Sequence, residues 1–324
     1  MRRSSAVALL AFVLGCGSAG REIDLTPYRW PPESPRLALE RLVETRRDAG
    51  ARGPAYQRAA RWLTGKKEEP LFHRPYGVAW DGDDLLVTDP AAGRVVRLGA
   101  TGGLTASPEG LLQAPIGVAA CARGVAVSDP PNRRVALLDR GLSLVRWLAE
   151  DLERPTGLAC GGGGVYVVET GRHRVVLLGD DGSRRAFGRR GEAPGELNYP
   201  VAIAAAAGGL WVGDTLNFRL QKLDPEGRSL SSFGSLGDAA GETPRIKGVA
   251  VDRDGHLWVT DAHLDQVALY DGDGAFLIGL GRTGGGPEGF VFPAGVAAHP
   301  DGRVAVVDSL NRRLKIFRLL GAGG

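Results

Sequence analysis

The sequence predicts an all-β fold, a six-bladed propeller of four-stranded antiparallel blades. Three regularities predict it. Short apolar runs open on Gly77, Gly117, Gly157, Ala202, Gly248 and Gly295, at gaps of 40, 40, 45, 46 and 47 residues. An acid (Asp89, Asp129, Glu169, Asp214, Asp261 or Asp308) closes the next run 12 or 13 residues after each anchor. Two residues past every anchor stands an alanine: Ala79, Ala119, Ala159, Ala204, Ala250 and Ala297. A period of forty-odd residues, with about four strands in each, belongs to a propeller rather than to a helical solenoid.

Residues 198–223 show the unit most clearly. Residues 201–206 are apolar, residues 210–213 alternate and end at Asp214, and residues 219–223 follow a tight turn. Runs this short, rich in Val, Ile, Leu and Trp and bounded by Gly, Asn and Pro, read as strands. Innermost strands converge on the axis, where side-chain room is least, so the alanines fit on steric grounds. Their neighbours Val78, Val118, Leu158, Ile203, Val249 and Val296 point to the other face, and both faces pack on adjacent blades.

Residues 115–119, 125–129 and 132–135 read PIGVA, VAVSD and NRRV, and residues 293–297, 304–308 and 311–314 read PAGVA, VAVVD and NRRL. These motifs resemble the NHL repeat, as do the linkers FGRRG at 187–191 and FGSLG at 233–237. The resemblance covers roughly residues 61–320. It implies the six-bladed fold and leaves activity open, because the family includes ligase-associated RNA binders, a lyase and many proteins without known activity.

Three segments follow in chain order. Residues 1–15 read as a signal peptide: Arg2 and Arg3, then an apolar run over 6–14 that is too short to span a bilayer. It ends in Val13-Leu14-Gly15-Cys16, which resembles a bacterial lipobox with Cys16 as the lipidated residue. Gly17 follows the cysteine, with no Asp there, which resembles lipoproteins sorted to the outer membrane and implies a domain outside the cytoplasm. Residues 16–55 read as a stem. Pro27, Pro31, Pro32 and Pro35 suggest an extended spacer, and Leu37, Leu39, Leu42 and Val43 suggest a short amphipathic helix. Residues 56–320 are the propeller. Repeat six stops after its third strand, and an unpaired edge is a liability. Residues 56–63 echo an outer strand around Trp62, so they are expected to complete the last blade and close the ring.

Chemistry is harder to read. Five residues after each acid comes Arg94, Arg134, Arg174, Arg219 or Arg313, with Gln266 in repeat five. Each carboxylate is expected to accept turn amides and face its arginine, a structural role. A charged ring offering a ligand site is the functional alternative. His73, His173, His256, His263 and His299 fall on linkers, turns and a strand end, so no convergent metal-ligand or catalytic set appears and no cofactor is expected. Cys121 and Cys160 lie four and three residues past their anchors. An exported protein permits a disulfide between them, but the one-residue offset favours buried free thiols.

Arg133, Arg134, Arg172, His173, Arg189, Arg190 and Arg312 mark a candidate binding face, because 2–3 turns and blade linkers emerge on one side. Without Arg2 and Arg3 the chain has 38 basic and 37 acidic residues, which does not imply a nucleic-acid surface. The expected protein is a monomeric, lipid-anchored scaffold that binds a protein or an anionic envelope polymer. The alternative is a metal-dependent propeller enzyme, amidating-lyase-like or lactonase-like, acting at the channel mouth.

Overall fold

The computed structural model describes residues 24–51, 64 and 68–320. Six antiparallel sheets surround one axis, five with four strands and one with five. Running outward, blade one is Val78–Asp81, Asp84–Asp89, Arg94–Leu98 and Leu104–Ala106. The order repeats through blade five, which is Ile246–Val251, Leu257–Asp261, Gln266–Tyr270 and Phe276–Leu280. The chain is therefore an all-β six-bladed propeller of four-stranded antiparallel blades, with one extra edge strand.

Burial follows from this geometry. The apolar residues sort into six clusters, each built chiefly from two adjacent blades. Val167 and Val176 of blade three meet Ala126 and Val135 of blade two, for example, and all four are buried. Strands covered on both faces read as near-continuous apolar runs, because neither face meets water.

The anchors have a steric cause. A Cβ on Gly77 would stand 2.3 Å from the Ile116 carbonyl oxygen, and one on Gly117 would stand 2.1 Å from that of Thr156. Gly248 and Gly295 face the Ala294 and Tyr76 carbonyls at 2.5 and 2.6 Å in the same way. At these boundaries the inner strand lies against the backbone of the next, closer than a side chain permits, whereas blade four accommodates the methyl of Ala202. Hydroxyls reinforce the contact. Thr88 Oγ1 donates to Ile116 O at 2.8 Å and Ser128 Oγ to Thr156 O at 2.7 Å, each across a blade boundary.

Blade six departs from expectation. Its strands Pro293–Ala298, Arg303–Asp308 and Arg313–Leu319 are completed by Leu37–Val43, antiparallel to the third. That segment was expected to be a helix, and residues 56–63, expected to fill this place, lie outside the described residues. A bulge explains the misreading. The register runs Leu37↔Leu319 and Leu39↔Phe317, slips one residue, and resumes at Arg41↔Ile316. The slip puts Leu37, Leu39 and Leu42 on the face toward blade five and Val43 on the face toward blade one. Alternation interrupted by one residue imitates helical spacing. Arg318 Nε to Glu40 Oε1 at 2.7 Å and Arg313 Nη1 to Glu44 Oε1 at 3.0 Å pin the strand.

The expected stem is also part of the ring over residues 24–51. Arg29–Trp30 adds a fifth strand beside Leu37–Val43, and Leu25, Tyr28 and Trp30 pack into the cluster between blades five and six. The expected signal peptide and the expected lipidation residue Cys16 lie outside the described residues. No helix among the described residues is long and apolar enough to cross a membrane.

Cys121 and Cys160 form a disulfide with a Cα–Cα distance of 5.5 Å, not free thiols. Equivalent residues of neighbouring blades point the same way around the ring. An odd offset therefore turns one side chain forward and the other back, toward each other. Period-two alternation within one sheet gives the opposite answer when applied across two.

Candidate binding face and channel mouth

The six repeated acids are buried, with exposures of 0–2%. They mainly hold the linker that enters their own inner strand. Asp89 accepts the His73 and Arg74 amides at 2.9 and 2.8 Å, and Asp129 accepts those of Gln113 and Ala114 at 3.2 and 3.0 Å. Glu169, Asp214, Asp261 and Asp308 accept the amides of Glu153, Asn198, Arg245 and Val291. The expected turn amides bond only to Asp261, through His263 and Leu264 at 2.8 and 3.1 Å. Asn132, Asn217 and Asn311 add side-chain amides to the acid three residues before them. The expected arginines do face the acids, from 2.6 Å for Arg174–Glu169 to 3.8 Å for Arg94–Asp89.

Four residues after each acid the chain turns left-handed, at Gly93, Arg133, His173, Phe218, Asp265 and Arg312. This splits the basic doublets. The first member points out from the turn and the second returns to the acid. Arg133 and Arg312 are exposed. Arg134 instead lies 3.7 Å from Asp129, with its guanidinium 3.8 Å from the Trp147 ring centroid, so it braces the blade. Arg172 bridges Glu153 and Glu169 at 3.3 and 3.4 Å, and Arg189 pairs with Glu196 at 2.8 Å. Arg190 is exposed beside His173. His173 Nδ1 accepts the Tyr199 amide at 3.1 Å, and burial, followed by the charge of Arg190, lowers its pKa.

A second set of cations went unnoticed in the sequence. Three residues before the anchors stand Arg74, Ala114, Arg154, Tyr199, Arg245 and Phe292, so arginine recurs in blades one, three and five. One residue before the anchors stand Tyr76, Ile116, Thr156, Val201, Lys247 and Ala294. Tyr76, Ile116, Val201 and Lys247 line an axial cavity of about 80 Å³ with the inner-strand valines and glycines. The signal was available: the alignment that yields the anchors shows the alternating arginines when read three residues upstream.

The charges of these arginines act on the two polar residues of the cavity wall, Tyr76 and Lys247. Burial lowers the Lys247 ammonium to about 8, helped by Arg245 and Arg154 and opposed by Asp261. Burial raises the Tyr76 hydroxyl, while Arg154, Arg245 and Arg74 pull it down. The Arg245 guanidinium and Lys247 Nζ lie 5.9 and 5.8 Å from the Phe292 ring centroid. Among the described residues, none of Arg74, Arg154, Arg245 and Lys247 forms an ion pair.

Metal-ligand chemistry gathers elsewhere. Asp252, Asp254 and His256 place ligand atoms within 4.8 Å of one another, on the turn between the first two strands of blade five. That turn is at the opposite end of the blade from the mouth. Asp252 already accepts the Asp254 and His256 amides and Trp258 Nε1, which makes it a turn-closing group.

The repeats and the six sheets define an NHL-repeat-like six-bladed β-propeller. Its relatives are distant: the chain is 40% identical over 68 residues to RING finger protein nhl-1 of Caenorhabditis elegans, matching 21% of this chain and 7% of that one. It is 32% identical over 134 residues to Protein brain tumor of Drosophila melanogaster, matching 40% of this chain and 12% of that one. The chain thus spans about a tenth of the length of these curated relatives. No family model matches. Among solved structures, a virginiamycin B lyase from Staphylococcus aureus superposes with TM-score 0.58 at 15% identity, covering 80% of this chain and 86% of that one. A gluconolactonase from Xanthomonas campestris superposes with TM-score 0.59 at 18% identity, covering 77% and 87%. At these identities the likeness is one of fold.

Proposed function

We propose that this protein is a non-catalytic binding module, lipid-anchored through Cys16 outside the cytoplasm, that captures an acidic protein or an anionic envelope polymer. One observation carries the reading. On the end of the ring bearing the 2–3 turns and entry linkers, the repeated carboxylates are buried and occupied, while Arg133, Arg190 and Arg312 are exposed. These three exposed cations are open to a partner, and exposed cations steer acidic partners. The Cys121–Cys160 disulfide accords with an oxidising compartment.

Cross-linking in the native envelope, followed by identification of captured material, tests the reading. Replacing Arg133, Arg190 and Arg312 together by Gln is expected to reduce capture at least tenfold while the ring stays folded. Undiminished capture would sink this face. Replacing Cys16 by Ala is expected to abolish incorporation of labelled fatty acid and release the protein from the membrane fraction.

A further inference from the structure

We propose that the axial mouth is a binding site for an oxyanion, a carboxylate or phosphate group borne by the ligand and gripped by Arg74, Arg154, Arg245 and Lys247. This deepens the binding-module reading, on which it rests, by naming the chemistry at the axis. Arg74, Arg154 and Arg245 hold equivalent places three residues before the anchors of alternate blades, Lys247 lines the opening, and Arg245 and Lys247 both lie beside the Phe292 ring. None of the four is ion-paired among the described residues. Like charges brought together beside an apolar wall repel one another, and a chain keeps such a local conflict where a ligand resolves it. An oxyanion between them would accept several charge-assisted hydrogen bonds, and the Tyr76 hydroxyl is a further donor at the cavity wall. The cavity of about 80 Å³ has room for one small group, not for a base or a sugar ring. The aromatic Phe292 beside Arg245 and Lys247 offers a surface for whatever carries that group.

Calorimetry on the purified full-length protein, with inorganic phosphate and succinate as separate probes at low chloride, tests the site. Saturable binding of either probe supports it, and the probe that binds tells phosphate from carboxylate. Lys247→Met and Arg154→Gln are each expected to weaken binding at least tenfold, whereas Arg228→Gln, on an outer turn of blade four where it pairs with Asp224, leaves it unchanged. Lys247→Met is also expected to raise the melting temperature of ligand-free protein while abolishing the rise that phosphate produces. These opposite signs separate loss of a site from loss of structure. Absence of saturable binding for both probes, or equal binding by Lys247→Met, Arg154→Gln and wild type, overturns the proposal. Envelope capture that persists while phosphate and succinate fail would leave the binding face standing and remove only the mouth. Phosphate binding that persists while capture fails would do the reverse.

Discussion

Gly117 has the tightest of the anchor contacts between blades. A methyl there would stand 2.1 Å from the Thr156 backbone oxygen, with Ser128 Oγ at 3.0 Å and Leu158 Cγ at 3.2 Å, so relief requires the two inner strands to part. Gly117→Ala is expected to destabilise the ring by about 1–3 kcal/mol in urea unfolding. Gly103 makes the control, because a methyl there would meet nothing within 4 Å, and Gly103→Ala is expected to be neutral or slightly stabilising. Lys247 makes a prediction of another kind. Its pKa is lowered to about 8 in the fold, below the ordinary lysine value near 10.4. Between those values the unfolded chain holds a proton that the folded chain has released. Stability therefore rises with pH across that window. Chemical denaturation at pH 8, 9 and 10 is expected to show this rise in wild type and a shallower one in Lys247→Met. The anchors and acids were legible in the sequence because similar contacts recur from blade to blade. The mouth was not, because its residues differ from blade to blade.

The strand Leu37–Val43 shows where reading by pattern ends. Its hydrophobic residues follow neither a period of two nor one of 3.6, since a bulge shifts the phase midway and both faces are covered. Only the partner strand, 270-odd residues away in sequence, decides between the two. Leu39 is 2% exposed and packs against the cluster between blades five and six. Leu39→Ala is expected to cost about 2–4 kcal/mol. The same change should raise amide exchange in Arg313–Leu319, which loses its outer neighbour, more than in the strands of blade three. Unaltered exchange in Arg313–Leu319 would show that the closing strand contributes little to holding its neighbour. The need for a closing strand was legible, because three strands leave an edge. Its location was not, because residues 56–63 carry the better sequence echo.

Around the whole ring, six apolar clusters leave every blade dependent on two others, and the Cys121–Cys160 bond ties blades two and three over a separation of 39 residues. Closing a loop of that length restricts the unfolded chain by about 4 kcal/mol in the chain-entropy description. Reduction, or replacement of both cysteines by Ser, is expected to lower unfolding stability by up to that amount, read from denaturant midpoints with and without reductant. Blade number and order followed from the repeats, whereas the facing of two cysteines depended on how neighbouring sheets are turned, which no single repeat records. The sixth blade joins Leu37–Val43 to Arg313–Leu319, and this bears on biosynthesis. Until Leu314 and Phe317 have emerged from the ribosome, Leu37–Val43 has no neighbour to pair with, and the growing polypeptide remains an open arc. Closure must await Arg313–Leu319, and until then the first five blades form an arc whose ends are not joined.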